Sequence, residues 1–118
     1  MRTLNKIVIV PAVLLALATG QTAFAQPSEE AVESAKSAKD HEAIAQSYDA
    51  EAKALRAKAA THESMAKRYG GPSYSKARHS RGSMESHCKK LAASYEATAK
   101  DAEGMAADHR EMAKEAGN

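Results

Sequence analysis

Residues 41–67 and 88–114 align without a gap at an offset of 47. Ser47-Tyr48 meets Ser94-Tyr95, Ala52-Lys53 meets Ala99-Lys100, His62 meets His109, and Met65-Ala66-Lys67 meets Met112-Ala113-Lys114. So many coincidences at one offset mark an internal duplication, and the period inside each copy fixes what it can fold into. His41, Tyr48, Leu55, His62 and Tyr69 recur every seven residues, beside a row of Ala38, Ala45, Ala52, Ala59 and Ala66. The second copy repeats this with Cys88, Tyr95, Ala102 and His109 beside Ala92, Ala99, Ala106 and Ala113. A seven-residue repeat is the signature of helices that meet along a left-handed seam. An unbroken alanine row lets their backbones approach closely, and alanine is the best helix former.

The boundaries agree with an all-α chain. Ser28 followed by Glu29 and Glu30 can cap a helix start, with the acids facing its positive end. Gly70-Gly71-Pro72 is a stop, and Ser83 is a candidate second cap. We expect a helix over 28–69, a loop over 70–82 and a helix over 83–116, joined as a long antiparallel helical hairpin with a heptad and alanine seam. Gly104 lies inside the second helix, where glycine costs about 1 kcal/mol relative to alanine. If Tyr69 lies opposite Ser83, paired residue numbers add to about 152, which brings His62 to Cys88 and His41 to His109. The two clusters would then stand about 31 Å apart.

The chain opens with Arg2 and Lys6, an apolar run from Ile7 to Ala18, and the small-x-small step Ala23-Phe24-Ala25. This reads as a secretory signal peptide over 1–25, cut after Ala25. Its apolar run is too short to span a bilayer, and no cysteine stands at the cut for a lipid anchor. We expect a periplasmic protein of 26–118, a single domain. Losing Arg2 and Lys6 would leave 15 basic residues against 15 acidic ones, so no general attraction to nucleic acid or membranes follows.

Large aliphatic residues are few beyond residue 25: Val32, Ile44, Leu55 and Leu91, with methionines at 65, 84, 105 and 112. A scaffold this poor in core needs a partner, a metal or a staple. Charge suggests the partner. Ser64 to Met84 holds five basic residues and no acid, whereas the other end of the hairpin is rich in Asp and Glu. A basic tip and an acidic open end suit a head-to-tail homodimer that forms a four-helix bundle. The basic loop could also dock an envelope protein.

His-x-x-Met occurs once per copy. Residues three apart share a helix face, so His62 with Met65, and His109 with Met112, can aim an imidazole and a thioether at one point. The register adds Cys88 to the first pair and His41 to the second. Thiolate, thioether and imidazole form a soft set that favours Cu(I), and a bound metal would add stability. The expected metal ligands are therefore His62, Met65 and Cys88, then His41, His109 and Met112, serving Cu(I) sequestration or delivery. Packed core histidines and gap-filling methionines are the plain alternative, which leads to a metal-free structural, adaptor or chaperone-like envelope protein. Non-covalent haem ranks third, since Cys-x-x-Cys-His is absent and few apolar side chains could wrap a porphyrin. A single cysteine in an exported chain points to an intermolecular disulfide, a free thiol or a ligand. No phosphate loop or nucleophile constellation suggests an enzyme, and the basic loop lacks the interleaved aromatics of a nucleic-acid surface.

Overall fold

The computed structural model describes residues 26–72 and 78–117, which form three helices with short breaks and no strand among them. Helix α1 is Glu29–Ser34, α2 is Ala38–Gly70 and α3 is Arg78–Ala116. The expected signal segment, 1–25, lies outside the described residues, as does 73–77 of the expected loop.

Two boundaries differ from expectation. The first helix is broken at Ala35–Ser37 instead of running on from residue 28. The reason is a second cap. Asp40 N–H donates to Ser37 Oγ at 3.1 Å, while Asp40 Oδ2 accepts from the N–H groups of Ser37 and Lys36 at 3.0 and 3.2 Å. This reciprocal capping box starts a helix. Those donated hydrogen bonds, from Ser37 first, hold the Asp40 carboxyl below its ordinary 3.8. Ser28 does cap α1, accepting from the Ala31 N–H at 3.1 Å. The second difference is that α3 begins at Arg78, five residues before Ser83.

The stop after Gly70 is where the sequence puts it, through a different device. Gly71 is extended at φ −79°, ψ 163°, and no described residue has a positive φ. Pro72 excludes its predecessor from the α region, so the proline ends α2 without a left-handed glycine.

Helices α2 and α3 pack against each other along their length. Contacting side chains run in opposite chain order: His41 meets His109, Arg56 meets Glu96 and Glu103, and His62 meets Tyr95. The core is the alanine row. Ala45, Ala52, Ala59, Ala66, Ala92, Ala99 and Ala106 are all buried. At its middle Ala52, Ala99 and Ala102 form a cluster flanked by Tyr48 and Leu55. Among the described residues no large side chain is fully buried, so close backbone approach replaces side-chain bulk, and the area removed from water is small. Ile44 is also buried, in a groove shared with Pro27, Ala31 and Ser34 of the α1 segment.

Candidate functional site

Two clusters lie on the α2–α3 seam, and the duplication relates them. In the first, His41 Nδ1 and His109 Nδ1 are 3.2 Å apart, and the two rings lie 5.4 Å apart between centroids. A neutral imidazole carries one donor and one acceptor, so a single proton can sit between the two nitrogens. Tyr48 stacks on His109 at 5.9 Å with 25° between planes. His109 is 5 % exposed.

In the second cluster Tyr95 stacks on His62 at 5.5 Å with 20° between planes. Adding 47 carries Tyr48 to Tyr95, and removing 47 carries His109 to His62. The two stacks are therefore one contact made twice, about a local two-fold that passes near Ala52 and Ala99. The same operation carries His41 to Cys88. The register that sets His41 against His109 thus assigns Cys88 to His62. Cys88 is a buried free thiol, 3 % exposed, so an intermolecular disulfide there would require the seam to open. His62 Nδ1 is buried and has no hydrogen-bond partner, whereas its twin, His109 Nδ1, has His41. A buried polar atom without a partner is costly, which singles out this nitrogen. Lys58 Nζ stands 5.7 Å from the other stacked ring, that of Tyr95.

The methionines divide. Met65 is half-buried and lines a shallow groove with Ala60, Thr61, Ser64 and Arg68. Met112 is 45 % exposed and Met84 40 %. Among the described residues, no three His, Cys, Asp or Glu side chains are grouped to hold a metal. The first cluster holds two such groups, His41 and His109, and the second holds His62, with Cys88 assigned to it by the register.

One flank of the seam is closed by charge. Arg56 pairs with Glu96 and Glu103, and Arg110 with Glu42 and Asp49. The hydrogen bond from Arg56 is the main reason that the Glu103 carboxyl lies below its ordinary 4.5. These pairs are exposed and worth little individually. They do fix which flanks of the two helices face each other. Sequence reasoning missed them, because the charged row gains meaning only once the register is known.

No helix among the described residues is long and apolar enough to cross a membrane. No family model, curated protein or solved structure matches the chain.

Proposed function

We propose that this chain is an exported, periplasmic antiparallel helical hairpin that binds a soft transition metal, Cu(I) first, for sequestration or delivery. The observation that carries the reading is the orphan His62 Nδ1 at the cluster to which Cys88 is assigned. In the twin cluster a second imidazole supplies the partner, at 3.2 Å. Here a thiol takes that imidazole's place, and His and Cys share metal ligation more than shape. Met65, one helical turn from His62, supplies a thioether on the same face. Thiolate and thioether sulfur are the donors that select Cu(I). His41 and His109, with Met112, form a harder second site whose methionine is the more exposed of the two. Export rests on the signal-like segment 1–25, and N-terminal sequencing of the cellular protein should begin at Gln26.

The test is a reduced, oxygen-free titration with Cu(I) against a chromogenic chelator. Wild type should withdraw copper from the chelator, and His62→Gln with Cys88→Ala should not. If wild type takes none, or the double variant takes as much, the metal reading is lost. A second reading, a metal-free envelope adaptor, is favoured by the exposed apolar residues of α3. It expects His62→Gln and His109→Gln to leave function intact.

A further inference from the structure

Four of the five exposed large hydrophobics among the described residues lie on α3: Met84, Leu91, Met105 and Met112. Their spacing is seven, fourteen and seven, with Thr98 filling the gap. They form one straight stripe on a helix whose seam repeats every seven residues. The stripe stands about 50° to one side of the seam row Cys88, Tyr95, Ala102 and His109. The ion-paired row that holds Glu96, Glu103 and Arg110 stands about 100° to the other side. The stripe is therefore on the flank opposite those ion pairs, where Lys58 stands over the Tyr95 ring.

The duplication shows that this row has changed between copies. In α2 the matching residues are Ile44, Glu51, Lys58 and Met65. Ile44 is covered from the α1 side, and the two middle positions are charged. In α3 the same positions read Leu91, Thr98, Met105 and Met112. Both charges are gone, and among the described residues Leu91 stays 43 %, Met105 42 % and Met112 45 % exposed. Thr98 donates its hydroxyl to the Ser94 carbonyl at 2.9 Å, so the centre of the stripe has its hydrogen bond inside its own helix.

We propose that a second copy of this chain docks on the stripe, α3 against α3 and antiparallel, with the two-fold axis passing beside Thr98. Charge selects this occupant and this direction. Before Thr98, α3 carries Arg78, Arg81, Lys89 and Lys90 against Glu85 and Glu96. After it, five acids (Asp101, Glu103, Asp108, Glu111, Glu115) outnumber Lys100, Arg110 and Lys114. Antiparallel pairing about Thr98 sets the basic half of each helix over the acidic half of the other. Parallel pairing would set like on like, which costs specificity and affinity. The pairing places Met84 opposite Met112 and Leu91 opposite Met105, and the two hairpins become a four-helix bundle. A continuous apolar stripe of this kind marks an interaction site, and the dimer supplies the burial that the alanine core lacks.

The proposal is independent of metal, so its test is run with chelator present. The chain is expressed from its full sequence, purified and followed by sedimentation. Wild type should show the mass of two copies at tens of micromolar. Leu91→Glu with Met105→Glu should give one copy with unchanged helicity, because both side chains point away from the hairpin's own seam. In a Cys88→Ser background, Thr98→Cys should cross-link to itself under mild oxidation. Leu91→Cys should not, since its two copies would lie about 21 Å apart. A single-copy mass for wild type up to about 100 μM, weaker than any useful dimer, overturns the proposal. So does a dimer that survives the double glutamate variant, or one that cross-links at 91 and not at 98.

Discussion

The open-end cluster of His41, Tyr48 and His109 and the loop-end cluster of Cys88, Tyr95 and His62 are two readings of one duplicated contact. Their tyrosine–histidine stacks differ by 0.4 Å in separation and 5° in tilt. The backbone register is thus common to both, and one residue makes the difference. Where His41 stands, the buried imidazole beside it has a partner at 3.2 Å; where Cys88 stands, the equivalent nitrogen has none. A duplicated contact thus carries His41 in one copy and Cys88 at the matching position of the other. The same contrast of copies gives α3 a neutral stripe where α2 carries Glu51 and Lys58.

The hardest way to break the comparison is at the element both clusters share. Ala52 lies at the local two-fold, 2 % exposed, in the cluster with Ala99 and Ala102. Ala52→Leu adds bulk inside this buried alanine cluster and should cost ~2–3 kcal/mol. Urea denaturation followed by circular dichroism reads it. A midpoint equal to wild type would mean that close approach at Ala52 does not hold the helices together.

A smaller change separates the clusters from each other. His109→Leu removes the partner of His41 and strands its nitrogen, at a cost of ~1–2 kcal/mol. His62→Leu removes an atom that already lacks a partner, so in the metal-free protein it should be neutral or stabilising. The same denaturation series decides between them. Equal costs would show that the two imidazoles are held alike and that the contrast drawn above is false.

Acid should act on two carboxylates whose folded-state hydrogen bonds hold them ionised. Asp40 and Glu103 are held below their ordinary 3.8 and 4.5 by hydrogen bonds made in the folded chain. A depressed carboxyl contributes stability that is fully present above its unfolded value and is lost as pH falls through its folded value. The Arg56–Glu103 link at the centre should weaken as pH falls below about 4.5, and the α2 start at Asp40 as it falls below about 3.8. Asp40→Asn should flatten the acid limb of the thermal midpoint against pH. A limb of unchanged slope would remove Asp40 from its cause.

Most of the scaffold was legible before the structure. The alanine row and the seven-residue spacing are periodic signals summed over two copies, and every alanine expected at the middle of the seam is buried. The break at Ala35–Ser37 was harder to read, because Ser37-Ala-Lys-Asp40 makes a cap only if the helix actually starts there. The site was half legible. Spacing brings His41 to His109, but it says nothing about whether a nitrogen finds a partner, which depends on distances of a few tenths of an ångström. Spacing sets Met65 and Met112 each one turn from a seam histidine, but it does not tell how exposed each methionine is. Four of them share the sequence with the seam, yet Met84, Met105 and Met112 stand exposed. The α3 stripe became visible only when the seam had been located and the flank that carries it could be told from the ion-paired one.

The smallest prediction makes the copies more alike. Gly104 is the twin of Ala57 at the same offset of 47. It lies inside α3, and a Cβ built on it meets nothing within 4 Å. No packing in the monomer asks for glycine there, and its φ is not positive. It also lies about 100° around the helix from the stripe, outside the face proposed for the second copy. Gly104→Ala therefore adds helix propensity without adding a clash and should stabilise by ~0.5–1 kcal/mol. The gain should be the same at low and high protein concentration, because the residue touches neither the seam nor the stripe. A loss of stability that grows with concentration would instead place Gly104 in an interface, where a second backbone comes too close for a methyl group. That outcome would move the two-fold contact around α3, away from Thr98 and toward the row of Ala97 and Gly104.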